Sequence, residues 1–238
     1  MPAKKQPPDD PFAVKRILNK IGTRKYPTPE AAVVALQEMQ EHGVDVVQQL
    51  VRALSDPESD EADFALTILD KMKAPCPIEP LLPLLEEGFY PFRCEAIHLL
   101  IQQKDPRVPE ILLRLVTDED SMVREYALDA LAHVDGERAF GPLVLALNDP
   151  VWETRMSATY WLGKLGDRRA LEPLISALED KIDHVRASAA EALGELGDKR
   201  ALFALQHLLQ KETRSNRSEY ADVKGDAAKA IERIKQKK

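Results

Sequence analysis

Apolar residues recur along this chain at helical spacing, and the pattern itself repeats every 31 residues. Between Trp152 and Leu165 the apolar positions fall three and four residues apart, and a second run of this kind follows at 171–178. Three columns are identical in four successive copies: Ala96, Ala127, Ala158 and Ala189; Leu100, Leu131, Leu162 and Leu193; Leu112, Leu143, Leu174 and Leu205. A fixed period of this length predicts stacked helix pairs, because one pair has too little apolar surface to fold alone.

A glycine followed by an aspartate separates the two predicted helices in the clearest copies, as in Gly166-Asp167 and Gly197-Asp198. The glycine can adopt a positive φ after the first helix, and the aspartate can cap the second. Pro173 lies near the start of its second helix, so we expect Arg169-Ala170 to form a loose first turn. The turn is short, which makes the two helices antiparallel neighbours.

The whole chain is predicted to be all-α, since no run alternates like a half-buried strand. We expect one domain at 11–238, a right-handed α-solenoid of about six helix pairs with one flanking helix at each end. The flanking helices are predicted at 11–21 and 223–234, and Thr28 is expected to cap the first helix of the array. Residues 1–10 are expected to be a disordered tail. A polar insertion at 211–220 displaces the pattern by seven residues before the last helix.

Composition narrows the class of protein further. The 238 residues are 44% hydrophobic but only 5% aromatic, which suits a core of interdigitated aliphatic side chains between helices. No span approaches the twenty apolar residues that a membrane helix needs. The two cysteines, Cys76 and Cys94, are too few for a disulfide framework. Together these features favour a cytoplasmic protein without membrane contact.

Two columns of arginines also follow the period. The first, Arg93, Arg124, Arg155 and Arg186, stands six residues after the acids Glu87, Asp118, Asp149 and Asp180. It could be an anion-binding stripe, but the acid repeats as faithfully as the base, which favours a ladder of ion pairs between units. The second column, Arg107, Arg138, Arg169 and Arg200, opens the second helices and is also interpreted as architectural. Its position leaves room for capture of a phosphate or carboxylate.

No catalytic or metal-binding constellation emerges from the sequence. The five histidines fall in different columns, and no two of them stand on one helix face. The glycine pairs end helices rather than open them, so they do not form a phosphate loop. We therefore predict no metal, and we assign no catalytic residue. The net charge of −7 does not favour nucleic-acid binding.

The units at 123–147, 155–178 and 185–209 resemble the HEAT-like repeats named after the phycobilisome bilin lyases. Tyr160-Trp161-Leu162-Gly163-Lys164 is similar to the aromatic helix of E-type bilin lyase subunits, although Met156 and Ser157 stand where that motif has tyrosines. The resemblance implies a non-catalytic, protein-binding or chaperone-like scaffold acting on phycobilisome components, with protein partners and no cofactor. Its alternative is a lyase subunit that attaches a phycobilin to a cysteine of a phycobiliprotein. A third possibility, nucleic-acid processing by a glycosylase-like solenoid, conflicts with the charge.

Aromatic residues are the predicted partner-binding positions, because they are rare in this chain and make strong interface anchors. The edge column Tyr90, Ser121, Trp152 and Asp183 is expected to be largely solvent-facing. Trp161 shares its column with Leu99, Ala130 and Ala192, so its indole must pack over small neighbours or project towards a groove. The candidates are Phe89, Tyr90, Trp152, Tyr160 and Trp161.

Overall fold

The computed structural model describes residues 10, 12–55, 59–88, 90–211 and 222–237. These residues contain fourteen α-helices and no strand, apart from a single bridge between Ile21 and Tyr26. The helices in chain order are α1 Ala13–Leu18, α2 Pro29–Glu41, α3 Val46–Ala53, α4 Asp60–Met72, α5 Leu82–Glu87, α6 Tyr90–Gln102, α7 Val108–Leu115, α8 Ser121–Val134, α9 Gly136–Ala146, α10 Trp152–Leu165, α11 Leu171–Ala177, α12 Asp183–Leu196, α13 Leu202–Lys211 and α14 Val223–Gln236.

The helix order confirms the predicted arrangement of six pairs, α2/α3 to α12/α13, between the flanking helices α1 and α14. The expected loose first turn is also present, because a 3-10 turn at Arg168–Ala170 leads into α11, and another at Lys199–Ala201 leads into α13. Thr28 differs from expectation: Pro29 occupies the first turn of α2, but the Thr28 side chain makes no capping hydrogen bond. The predicted tail at 1–10, except Asp10, and the insertion at 211–220, except Lys211, lie outside the described residues.

The described chain divides into two compact units, one ending at Val108 and the other beginning at Pro109. In the first unit, α2 and α3 pack on α4, and α4 and α5 pack on α6. In the second, the first helices α8, α10, α12 and α14 form a row in which each packs on the next, and the second helices α9, α11 and α13 pack against them. The single 11–238 domain and the right-handed sense of the solenoid stay predictions.

The core consists of the repeated columns. Every alanine and leucine of the three columns that define the period has no exposed surface. Burying one leucine side chain contributes about 1.5–3 kcal/mol, so the columns account for much of the attraction between neighbouring helices. The sequence pattern therefore predicted the core correctly.

The turns between the helices of a pair follow the predicted chemistry. Gly166 and Gly197 end α10 and α12 with φ of 65° and 72°, a left-handed conformation that favours glycine. Asp167 then accepts a hydrogen bond from the backbone N–H of Arg169, and Asp198 does the same for Arg200. These caps start the second helices at fixed positions relative to the first.

Arg124 and Arg155 of the first arginine column form the expected ladder. Arg155 donates from Nε and Nη2 to the two carboxylate oxygens of Asp180, at 2.7 and 3.0 Å, and Arg124 pairs with Asp149 at 2.8 and 2.9 Å. Each carboxylate comes from the next repeat, 25 residues later. The acid six residues earlier contributes its backbone carbonyl instead, since Arg155 Nη1 lies 2.8 Å from the carbonyl oxygen of Asp149. Each arginine thus joins two consecutive turns between repeats.

The ladder changes at its carboxyl-terminal end. Arg186 donates to the backbone carbonyl of Asp180 at 2.9 Å, as its predecessors do to theirs. The position 25 residues after Arg186 is Lys211 rather than an aspartate, and Lys211 pairs with Glu179. The sequence spacing between arginine and acid therefore changes at this step.

Close approach of small residues joins α12 to its neighbours on both sides. A Cβ on Gly163 would lie 2.7 Å from the Cβ of Ala192, and a Cβ on Gly194 would lie 2.9 Å from the Cα of Ala230. The contacting residues are 29 apart in the first case and 36 apart in the second. This difference confirms that the insertion before α14 displaces the register by seven residues and leaves the packing unchanged.

Candidate functional site

The structure brings together some of the predicted partner-binding residues. Phe89 lies outside the described residues, and Tyr90 begins α6 in the first unit. Trp152, Tyr160 and Trp161 all lie on α10 in the second unit. The candidate site therefore lies on α10 and the helices beside it.

Trp152 begins α10 and packs against the next first helix. Its ring lies 5.2 Å from the ring of His184 on α12, at an angle of 42°. Trp152 is half-buried, as are Ser121 and Asp183 at the equivalent positions of α8 and α12. The prediction that this edge is largely solvent-facing was wrong for these three residues. At Trp152 the reason is the contact with His184 on the next first helix.

Trp161 lies across the gap between α10 and α8. Its indole nitrogen donates to Oδ1 of Asp129 at 2.8 Å, and the ring of His133 meets it edge-on with centroids 5.5 Å apart. The equivalent positions in the adjacent helices are Ala130 and Ala192, which leave space beside the indole. The side chain is half-buried, so one part packs and the other faces a groove.

Tyr160 extends this aromatic surface into solvent. Its ring lies edge-on to that of Trp161, with centroids 5.4 Å apart, and the residue remains 49% exposed. The ammonium of Lys164 lies 5.3 Å from the centroid of the Tyr160 ring and also bonds to Glu195 at 2.8 Å. The tyrosine therefore already accepts one cation of this chain against its ring.

The two aromatic residues line a shallow groove of about 390 Å³ on the face formed by the first helices. Met156 adds a flexible apolar side chain next to them. The other lining residues include four acids, and none of the lining residues is a lysine or arginine. The acids are Glu125 and Asp129 on α8, Glu191 on α12 and Asp226 on α14.

The electrostatics of the groove are unfavourable for the charged form of Glu125. Burial, together with the nearby charges of Glu153 and Asp129, raises the pKa of Glu125 above its usual value. Asp226 is different, because Lys229 approaches it to 3.0 Å. A positive charge entering near Glu125 would relieve this crowding of like charges.

The second arginine column is held by the capping aspartates. Arg107, Arg169 and Arg200 pair with Asp105, Asp167 and Asp198, each two residues earlier, and these pairs lie at the surface. The hydrogen bonds from the arginines hold the pKa of Asp105 and Asp198 at about 2. The guanidinium of Arg169 also lies 4.3 Å from the ring centroid of Phe140. The column therefore has the architectural role that the sequence predicted.

Other chemically reactive side chains form no second site in the described part of the chain. Cys76 and Cys94 are buried, and burial raises the pKa of the Cys76 thiol to about 11. Across the described ranges, no three histidine, cysteine, aspartate or glutamate side chains converge in a way that could hold a metal ion. No described helix combines the length and apolar character needed to cross a bilayer.

Comparison with known proteins decides the family. The family model for HEAT repeats matches residues 78–160 and 140–225. This chain belongs to the HEAT-repeat family. No curated protein matches the sequence.

Solved structures with the same fold include natural and designed repeat proteins. The Escherichia coli protein YibA has a TM-score of 0.62 at 20% identity, with 96% of this HEAT-repeat chain and 83% of YibA covered. An armadillo repeat protein designed for modular peptide recognition has a TM-score of 0.54 at 22% identity, covering 79% of this chain and 99% of that one. Another designed armadillo protein, in complex with the peptide (KR)4, has a TM-score of 0.52 at 18% identity, covering 93% and 99%. These matches show an all-α repeat solenoid, the predicted fold class.

Sequence reasoning selected the aromatic residues of this HEAT-repeat groove but not its acids. Asp129, Tyr160 and Glu191 stand 31 residues apart and are all exposed, so they form one row across three first helices. The period could have revealed this row. Identity between copies does not indicate the row, because its residue type changes at each step.

Proposed function

We propose that this HEAT-repeat chain is a protein-binding scaffold that docks a partner in the groove over α8, α10, α12 and α14. The observation that carries the proposal is the pair of aromatic side chains in edge-on contact, Tyr160 and Trp161, at the groove. In the neighbouring first helices the equivalent positions hold Asp129 and Ala130, or Glu191 and Ala192. A large aromatic surface at one step of an otherwise small and polar face is the usual composition of an interface anchor.

The geometry around Trp161 supports this role. The hydrogen bond to Asp129 and the edge contact with His133 fix the indole before any partner arrives. A side chain that is already ordered loses little conformational entropy on binding, so more of its contact energy contributes to affinity. Tyr160 adds a hydroxyl group that can bond to a partner while its ring packs.

The designed repeat proteins support the proposal through their shared fold, not through shared residues. One is described as designed for modular peptide recognition, and another is in complex with the peptide (KR)4. Their identity to this chain is at most 22%, so they indicate that stacked helices of this kind can present a peptide-binding surface. The residues of the groove must be tested on this chain.

A phycobilisome component as the partner, or a lyase activity, rests on sequence resemblance alone. The family match is to HEAT repeats in general. The propionate groups of a phycobilin are anionic, whereas the groove is lined by acids and by no lysine or arginine. A coloured tetrapyrrole that copurifies with the chain would support the lyase alternative over a scaffold without a cofactor.

Three single variants test the location of the docking surface. Proteins captured from the native host by the wild-type chain should be lost with Tyr160→Ala and with Trp161→Phe. They should be retained with Phe203→Ala, which removes an aromatic residue that is 80% exposed on the second helix α13. Circular dichroism should show that all three variants stay folded.

The reverse result would relocate the site. If Phe203→Ala loses the partner while Tyr160→Ala keeps it, the binding surface lies on the second helices and the groove proposal is wrong. If no variant changes the captured set, neither aromatic position is an anchor, and the proposal fails for this groove.

A further inference from the structure

The described residues give most acids of the groove no direct counter-ion. Among them, Glu125 and Glu191 make no ion pair within 4 Å, although Lys164 and Lys229 lie near enough to Glu191 to interact with its charge. Asp129 accepts the Trp161 N–H, which is a neutral donor. Asp226 is compensated by Lys229. The other three carboxylates therefore face the groove without a direct counter-ion in the described part of the chain.

The aromatic rings of Tyr160 and Trp161 also attract a cation. An ammonium or guanidinium within about 6 Å of an aromatic ring centroid is attracted by the negative face of the ring, most strongly at tryptophan. Lys164 already occupies such a position over Tyr160. The groove thus combines two features that recognise lysine and arginine, a carboxylate rim and an exposed aromatic surface.

The spacing of the acids indicates the length of the bound segment. Glu125 and Asp129 lie on α8 and Glu191 lies on α12, with α10 between them. Packed helices are about 8–10 Å apart, so the two acidic ends are separated by roughly 16–20 Å. An extended chain advances about 3.3 Å per residue, and five or six residues would cover that distance.

We infer that the groove takes an extended, lysine- and arginine-rich segment of a protein partner, with basic side chains at both ends and one over the aromatic pair. One end contacts Glu125 and Asp129, the other contacts Glu191, and the middle lies on Tyr160 and Trp161. This inference rests on the proposed docking function and names the chemistry of the partner.

Fluorescence anisotropy with labelled peptides tests the inference on the full chain. The basic peptide (Lys-Arg)4 should bind, and (Gly-Ser)4 and (Glu-Asp)4 should not. The double variant Glu125→Gln with Glu191→Gln should lower the affinity for (Lys-Arg)4 at least about tenfold, because it removes one carboxylate at each end. The control, Glu172→Gln with Glu232→Gln, removes the same charge from exposed positions outside the groove and should change affinity less than about twofold.

A second pair of peptides tests the two-ended arrangement. Two Lys-Arg pairs separated by Gly-Lys-Ser-Gly should bind more tightly than a peptide of the same composition with the five basic residues adjacent. Equal binding of the two peptides, or tighter binding of the adjacent arrangement, would overturn the spacing argument.

The inference of a basic segment and the proposal of a docking groove would be contradicted by different results. If (Lys-Arg)4 does not bind, or if both double variants weaken it equally, the groove does not select a basic segment and the inference is wrong. A host partner that is still lost with Tyr160→Ala would then keep the docking proposal intact. If the basic peptide binds, and only the groove double variant weakens its binding, both the basic-segment inference and the docking proposal are supported.

Discussion

Arg155 and Asp180 are joined by two hydrogen bonds between consecutive repeats, and both side chains are almost fully buried, at 6% and 12% exposure. Burial by itself raises the pKa of Asp180. The hydrogen bonds from Arg155 and from the backbone N–H of Ile182 outweigh it, so the pKa ends below its usual value. The pair therefore stays ionised at neutral pH and acts as a fixed link between units.

Asp180→Asn should destabilise the fold by about 3–5 kcal/mol, because it leaves the guanidinium of Arg155 buried without a carboxylate. Chemical denaturation measures this change. Asp167→Asn makes the same replacement in the surface pair with Arg169, and it should cost less than about 1 kcal/mol. Equal effects of the two substitutions would show that the ladder is no stronger than a surface ion pair.

Gly163→Ala should destabilise the chain by about 1–3 kcal/mol, since the new methyl group would force α10 and α12 apart at Ala192. The matched change Gly141→Ala, in α9, meets no atom within 4 Å and should stabilise by about 0.4–1 kcal/mol through helix propensity. Thermal unfolding of the two variants should shift in opposite directions. A neutral Gly163→Ala would mean that the first helices are not in close contact there.

Thr154→Val should stabilise the fold by about 1 kcal/mol. The hydroxyl of Thr154 is buried and has no hydrogen-bond partner among the described residues, and Val123 and Val185 occupy the equivalent positions of α8 and α12. Thr159→Val is the control on the same helix, because its buried hydroxyl bonds to Ser188 at 2.6 Å and to the carbonyl of Met156 at 2.7 Å. That variant should lose about 1 kcal/mol, and a loss in both would contradict the assignment of Thr154.

Glu125→Gln should raise the melting temperature at neutral pH. The raised pKa of Glu125 means that the folded state binds a proton more tightly than the unfolded chain, so its negative charge opposes folding at high pH. The gain should disappear as the pH falls below the ordinary glutamate value of 4.5, where both states are protonated. Calorimetry at several pH values measures this.

Glu30→Gln is a control that should change the melting temperature in the opposite direction. The hydrogen bond from Lys71 holds the pKa of Glu30 at about 2, so the charged form favours the folded state. Its replacement should lower the melting temperature at neutral pH, and the difference should shrink in acid. A parallel response of the two variants would refute the assigned environments.

The period of 31 residues was enough to predict the helices, the core columns and the register of α14, because each depends on packing that every repeat shares. The period did not predict which carboxylate pairs with each ladder arginine. The nearby acid, such as Asp149 for Arg155, gives only its carbonyl, and the carboxylate comes from the next repeat because the helices between them bring it there.

The groove depends on features that the repeats do not share. The orientation of Trp161 follows from Asp129 on another helix and from the alanines in its own column. Trp152 is less exposed to solvent than predicted because it contacts His184, one repeat later. Such contacts join positions where the residue type changes between copies, so periodicity alone does not identify them.

The ladder also allows the array to be lengthened by duplication of one repeat. Arg124 and Arg155 each take a carboxylate from 25 residues ahead and a carbonyl from six residues behind. A duplicated segment of 150–180 would therefore supply the carboxylate for its own arginine and take the carbonyl from the copy before it. The duplicate would also present the carbonyl that Arg186 needs. A chain lengthened in this way gains a second copy of the Tyr160-Trp161 step, and with it a second binding position for one long partner.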